Sequence, residues 1–323
     1  MLYEKELKTA LAAVRKASLL CRRVQTNILK SQVIEKQDHS PVTVADFGSQ
    51  AVISLELLAA FPNDAIVGEE DAAILRENSA LRLAVSELVK EQISTADASQ
   101  IPDAIDFCAQ DTDFTKRFWT VDPVDGTKGF LRGGQYAVAL ALAEKGEIVI
   151  GVLGCPNFQT QGQNAKGCLF YAVRGQGAFV QTSEGGNTRR ISVDAITDPA
   201  QARFCESVEE AHSSHQDHQR IAAGLGITAP SVRMDSQAKY AAVACGQASV
   251  YLRLPKSRSY REKIWDHAAG AIVITEAGGK VTDFQGKALD FSPGRKLENN
   301  AGILASNGHL HEKALQIISD LKL

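Results

Sequence analysis

Residues 119–130 read WTVDPVDGTKGF and place Asp122 and Asp125 on either side of Pro123-Val124. Side chains three apart on a plain strand point to opposite faces, which would separate the two carboxylates. Pro123 argues against a plain strand. It fixes its own φ, pushes Asp122 toward an extended conformation and favours the second position of a turn. The segment therefore predicts an apolar strand, Phe118 to Val121, ending in a tight turn that brings both carboxylates to one side and leaves the Val124 carbonyl free. Two carboxylates and a bare carbonyl suit a hard divalent cation. Asp-Pro and Asp-Gly are equally common as plain turns, so the segment alone leaves both readings open.

Further acidic residues share this setting. Asp46 follows Val42-Thr43-Val44, Glu69-Glu70 follow Ala65-Ile66-Val67, and Asp266 lies in Trp265-Asp266-His267-Ala268-Ala269-Gly270. Strand ends and helix starts are where α/β proteins build sites. Asp46 and Asp266 could each be a helix cap, and Glu69-Glu70 a solvated loop. Capping accounts for either aspartate alone and leaves the set unexplained.

The elements that must position these residues follow from periodicity. Leu7, Leu11, Val14, Leu20, Val24 and Ile28 form a helical stripe that covers a core, and Val52, Ile53, Leu57, Leu58 and Phe61 form a second, stopped at Phe61-Pro62-Asn63-Asp64. Residues 71–117 read as an Ala-rich, polar insertion with one helix near 80–92 and Ser/Thr-rich loops. Strands at Tyr136 to Leu142, Ile148 to Leu153, Leu169 to Val173 and Ala178 to Val180, with Ile191 to Val193 as an edge, predict an antiparallel sheet with helices against it. Beyond a boundary near 200, helices near 212–224, 237–246 and from Asp266 to Ala277 alternate with strands at Val232 to Asp235 and Val250 to Leu254, as in an α/β domain. The expected domains are 1–200 and 201–323.

Composition narrows the function. The 323 residues are 44% apolar and 23% charged, so the chain is globular. A net charge of −3 and a pI near 6.2 exclude a general nucleic-acid coat. No apolar run approaches a membrane span, and Glu4 and Glu6 argue against a transit peptide. Six scattered cysteines without a Cys-x-x-Cys pair point to reduced thiols, hence the cytoplasm. His212, His215 and His218 stand at i, i+3 and i+6, an arc too wide to converge on zinc, with no Cys pair nearby.

Gly68-Glu69-Glu70, Asp122 to Thr127 and Trp265 to Gly270, taken together and in this order, resemble the three signatures of the magnesium-dependent, lithium-sensitive phosphomonoesterases, a superfamily that includes inositol monophosphatase and fructose-1,6-bisphosphatase. Thr127 to Gly133, His212 to His215, Asp235 to Tyr240 and Tyr251 to Pro255 are similar to its 3′(2′),5′-bisphosphate nucleotidase branch. The resemblance implies a layered αβαβα sandwich, with an α+β N-terminal part and an α/β C-terminal part. It implies Glu69, Asp122, the Val124 carbonyl, Asp125 and Asp266 as ligands of roughly two or three Mg2+ ions. Asp46 with Thr127 would orient and deprotonate the attacking water, assisted by Glu70. Thr127, His212, Ser236, Lys239, Arg253 and Asp266 would meet the substrate, adenosine 3′,5′-bisphosphate, with its sulfo-nucleotide relative a further candidate. Lys128 and Arg132 are loop cations or phosphate contacts. The alternative is an inositol (poly)phosphate phosphatase on the same metal core. The expected molecule is a monomer that takes a small-molecule substrate and binds neither a nucleic-acid polymer nor a membrane.

Overall fold

The structure is a computed structural model that describes residues 2–26, 34–35, 41–42, 44–160, 166–208, 215–255, 257 and 259–321. His212 and Ile28 lie outside the described residues, as do Lys256 and Arg258 of the basic run 253–263, whose one acid is Glu262. Helix α1 (Glu4–Thr26) precedes a two-residue ladder, β1 (Ile34–Glu35) with β2 (Pro41–Val42), and helix α2 (Val44–Ala60). Strand β3 (Ala65–Gly68) leads into α3 (Ala73–Glu77), α4 (Ser79–Gln92) and α5 (Ile101–Asp106), closed by a 3-10 turn at Phe107–Ala109. Next come β4 (Phe118–Asp125), α6 (Thr127–Leu131), β5 (Ala137–Glu144), β6 (Glu147–Cys155), β7 (Cys168–Val173), β8 (Gly177–Thr182) and β9 (Arg189–Ile191). The remainder is β10 (Phe204–Glu206), α7 (His215–Leu225), β11 (Val232–Arg233), α8 (Ala238–Ala244), β12 (Val250–Arg253), α9 (Ala268–Glu276), β13 (Lys280–Thr282), β14 (Ile303–Ser306) and α10 (His311–Asp320).

Two sheets carry the layers. Strands β3 to β9 form one sheet in sequence order, parallel at β3–β4 and antiparallel elsewhere. The second has the order β11-β10-β12-β14-β13, parallel on the β10 side and antiparallel around β14. The central strand β5, Ala-Val-Ala-Leu-Ala-Leu-Ala-Glu, shows why both faces of the first sheet are covered. Val138, Leu140 and Leu142 point into a core shared with α1, α2 and α4, whereas Ala137, Ala139, Ala141 and Ala143 point to the opposite core. The small face lets α9 come close: a Cβ on Gly151 of β6 would lie 2.4 Å from Ile272 Cγ2 and 2.7 Å from the Ala269 carbonyl. Helix α9 is apolar nearly all round, as a helix enclosed on every side must be; Ala268 to Ile274 are all buried. A third core lies on the outer face of the second sheet, beneath α7 and α10. The order is thus helices, sheet, α8 and α9, sheet, helices: the αβαβα sandwich.

Several local expectations need correction. The strand expected to stop at Val121 runs on through Asp125. The insertion at 71–117 is more helical than its composition suggests, because α3, α5 and the 3-10 turn pack Leu75, Ile101, Ile105 and Cys108 into the core over α2. Helix α2 starts at Val44, so Asp46 lies inside its first turn, not after a longer β run. Helix α9 begins at Ala268 with His267 at its cap position, which leaves Asp266 ahead of the helix and not its cap.

Candidate active site

A bulge, not a turn, aligns the two aspartates of β4. Asp122 pairs with Ala139 of β5 and Asp125 with Ala137, so three steps on one strand match two on the other. One extra residue shifts the period of two, and side chains three apart come to one face. Pro123 is tolerated because the bulge requires no ladder N–H there, and β3 ends at Gly68, opposite Val121. Ser49 Oγ of α2 donates to the Pro123 carbonyl at 2.8 Å and pins the bulge. Gly126 follows in the left-handed region at φ 86°, and a Cβ there would lie 2.9 Å from Ser236 Cβ. Thr127 then opens α6, its Oγ1 donating to the Val124 carbonyl at 3.3 Å.

Helix α2 presents Asp46, Ser49 and Gln50, all buried, on the side facing this bulge. Gln50 Oε1 accepts from Glu70 N–H at 3.0 Å while Nε2 donates to the Glu70 carbonyl at 2.8 Å, so one side chain fixes the loop after β3. Glu70 is consequently buried, and Glu69 is exposed.

On the opposite side, Gln237 N–H donates to Asp125 Oδ2 at 2.5 Å. The Gln237 side chain donates to the Trp265 carbonyl at 2.9 Å and accepts from Gly270 N–H at 3.1 Å, so it brackets Asp266. Arg253 Nε donates to Glu262 Oε1 at 3.2 Å, and its Nη2 lies 3.9 Å from Asp266 Oδ2. Glu262 Oε2 also meets His267 Nε2 at 3.4 Å, and His267 Nδ1 meets the Tyr240 hydroxyl at 2.7 Å. Both His267 nitrogens and both Glu262 oxygens are thereby engaged. Although Glu262, Asp266 and His267 cluster closely enough to ligate an ion, Glu262 and His267 are spent on a hydrogen-bonded relay that runs from Arg253 to Tyr240. Lys239 is 2% exposed, which rules out a helix-surface lysine; its Nζ lies 3.4 Å from the Met234 carbonyl and over the Tyr251 ring. Ser236 takes a positive φ of 68°, and its Oγ accepts from Ala238 N–H at 3.1 Å. Arg132 pairs with Asp235, and Lys128 is exposed.

The electrostatics join these pieces. Burial pushes the Asp122 carboxyl far above its ordinary range, and Glu69, Asp125, Asp266 and Asp46 push it further. Burial also raises Asp125, against the pull of Lys239 and the Gln237 N–H. Asp266 is raised by burial against Arg253. Burial lowers Lys239, with Asp125 opposing. The result is an acidic basin with a cationic wall. Asp122 Oδ1 is buried and has no hydrogen-bond partner among the described residues. A buried carboxylate oxygen without a donor, repelled by four other carboxylates, is the deficit that a hard cation offsets, and the oxygen-only donor set suits Mg2+.

Thus the structure brings together Asp46, Glu69, Asp122, Asp125 and Asp266 as mutual electrostatic neighbours, with Lys239 and Arg253 alongside. His212 is outside the described residues. His218 is buried, with Nδ1 3.5 Å from Glu206 Oε2 and its ring against Phe204, which is a core position. Sequence reasoning missed Gln50, Gln237 and Glu262. Gln50 could have been found as the i+4 neighbour of Asp46, and Glu262 as the lone acid in the basic run 253–263.

Five layers with a buried acidic basin at the end of β4 define a sandwich-type α/β protein. A model described as the inositol monophosphatase family matches residues 2–323, and the chain belongs to that family, which is metal-dependent. It is 42% identical to the 3′(2′),5′-bisphosphate nucleotidase of Emericella nidulans, over 98% of each chain. It is 45% identical to the protein of that name from Oryza sativa, over 98% of this chain and 94% of the other. Among solved structures, an IMPase of Thermotoga maritima superposes with a TM-score of 0.69 at 23% identity over 98% of each chain. An inositol monophosphatase from Zymomonas mobilis gives 0.66 at 20% over 99% of each. These two likenesses are of fold.

Proposed function

We propose that this protein is a Mg2+-dependent nucleotidase that hydrolyses the 3′-phosphate of adenosine 3′,5′-bisphosphate to AMP and phosphate, and that it also accepts the sulfo-nucleotide relative. The observation that carries this reading is the acidic basin set against two cations, the buried Lys239 and the half-buried Arg253. A substrate with two phosphates needs both halves: one group at the reacting centre and one held at a distance by fixed positive charge. The names of the 42–45% identical relatives support the choice of nucleotide.

In this reading Glu69, Asp122, the Val124 carbonyl, Asp125 and Asp266 hold roughly two or three Mg2+ ions, which when bound supply Lewis acidity toward phosphoryl and water oxygens. Asp46 accepts a proton from the attacking water, and Thr127 orients that water through the lone pairs left on Oγ1. Glu70, fixed through its backbone by Gln50, assists. The water oxygen bonds to phosphorus, the P–O3′ bond breaks, and O3′ takes a proton from solvent water while Asp46 returns its proton to solvent, so the cycle closes with no net change at the enzyme. Lys239, Ser236, Arg253 and His212 hold the rest of the nucleotide, and the relay Glu262–His267–Tyr240 keeps Arg253 in place. We extend the proposal to lithium sensitivity, a monomeric state, a role in sulfur assimilation and a cytoplasmic location. Reduced cysteines, five of six buried, support the location. Among the described residues no helix is long and apolar enough to cross a membrane.

The test is phosphate release from adenosine 3′,5′-bisphosphate and from inositol 1,4-bisphosphate, each with Mg2+ and with EDTA. EDTA-sensitive release from the nucleotide, with the inositol compound slow, is the expected result. Preference for the inositol compound would sink the assigned substrate pocket.

A further inference from the structure

Arg295 lies between β13 and β14 and takes part in no step of the chemistry above. Its backbone is fixed against the segment that precedes Asp266. Ile264 N–H donates to the Arg295 carbonyl at 3.2 Å, Leu297 N–H donates to the Glu262 carbonyl at 2.9 Å, and Lys263 faces Lys296 in an antiparallel bridge. The guanidinium reaches across to the other half of the molecule. Nη2 donates to the Gly68 carbonyl and Nη1 to the Cys108 carbonyl at 3.2 Å, while the group lies over the Trp265 ring, 5.1 Å from its centroid. Gly68 immediately precedes Glu69, and Trp265 immediately precedes Asp266. One side chain therefore grips the residues next to two acids that come from opposite halves of the basin. Only a planar fork of donors with a stackable face meets two carbonyls and an indole at once.

We propose that Arg295 is a positioning residue that ties the Glu69-Glu70 loop to the Asp266 segment and so sets the spacing of the cation basin. This inference rests on the metal-site reading. Electrostatics make its sign distinctive. Deleting a positive charge near an acidic basin would by itself strengthen cation binding, whereas loss of spacing weakens it.

The experiment compares wild type, R295M, R295K and, as a charge control at the exposed neighbour, K296M. Mn2+ binding is measured by calorimetry, and hydrogen exchange without metal is read in peptides covering 66–72 and 262–268. R295M is expected to weaken Mn2+ binding roughly 10–100-fold, the range for partners that orient metal ligands, and to speed exchange in both segments. R295K recovers part of the loss, and K296M matches wild type. R295M that binds Mn2+ as tightly as wild type overturns the proposal and leaves the metal site standing. Should R295M not fold, R295K decides on the same scale: weaker binding with faster exchange upholds the tie, and wild-type values overturn it. A wild type that binds no Mn2+ defeats the metal-site reading instead. The exchange data then decide alone, because faster exchange in both segments upholds the tie and unchanged exchange overturns it.

Discussion

Asp122→Asn separates the stability of the acidic basin from its use. The Asp122 carboxyl is buried and repelled by Glu69, Asp125, Asp266 and Asp46. Replacing it by a neutral amide relieves that repulsion, so in EDTA the variant is expected to melt above wild type. Added Mg2+ should raise the wild-type melting temperature by mass action and leave the variant nearly unmoved. Activity is expected to fall by more than the roughly 10–100-fold typical of groups behind the ligands. Asp46→Asn addresses the proton instead of the cation, with a loss in kcat of about 10²–10⁴ and Mg2+ binding largely kept. At this scale the sequence was informative about identity and silent about mutual support. Asp46, Glu69, Asp122, Asp125 and Asp266 announced themselves by type and by their place at the ends of β-type runs or the starts of helices. Gln237 sits in a segment already singled out, yet its hydrogen bonds to Asp125, Trp265 and Gly270 exist only once the start of α8 lies beside all three. Arg295 has no local signal at all, since Gly68 is 227 residues away in the chain.

Among the elements, the seam between α8 and α9 leaves no room for an added methyl group. A Cβ on Gly270 would lie 2.3 Å from Tyr240 Cγ. Alanine in place of an interior helical glycine ordinarily gains up to about 1 kcal/mol, but overpacking costs about 1–3 kcal/mol. A contact this short, against a ring whose hydroxyl is bound to His267, puts the overpacking term ahead. Gly270→Ala is therefore expected to lower the urea midpoint. It should also raise KM for the nucleotide, because Tyr240, His267 and Glu262 lie in line behind Arg253. Equilibrium unfolding and steady-state kinetics on the same preparation check both parts. Period-two and period-3.6 patterns made most strands and the main helices legible. The bulge at Asp122–Asp125 was not, because proline favours a turn and a bulge alike, and only the register with Ala137 and Ala139 distinguishes them.

Across the whole molecule, two buried histidines make acid costly. His311 is fully buried; burial first, and Lys280 second, lower its pKa from an ordinary 6.5 to about 4. Thr282 Oγ1 already donates to the Asp283 carbonyl, so His311 Nε2–H donates to Thr282, and Nδ1 accepts from Ser306. A neutral ring fits that arrangement. Between pH 6.5 and 4 the unfolded chain binds a proton at this residue that the folded chain refuses, so stability falls as pH drops through that window. The contribution is up to about 3 kcal/mol, and His267, also lowered by burial, acts in the same direction. Glu262, held down at about 2, loses its contribution mostly below that window, as pH falls from 4.5 toward 2. Without metal the raised carboxyls Asp122, Asp125 and Asp266 act in the opposite sense, so the test is a difference: from pH 7.5 to 4.5 the urea midpoint of wild type is expected to fall relative to that of His311→Gln. The central layer has a different consequence for the chain as it is made. The alanine face of β5 waits for α9, and β14, which lies between β12 and β13, is the last strand to be synthesised. At about 5–20 residues per second, roughly 7–28 seconds separate Asp125 leaving the ribosome from Asp266. During that interval the nascent polypeptide displays an uncovered sheet, which makes it a client for chaperones that bind exposed apolar surface, and ribosomes that stall before residue 266 would hold it in that state.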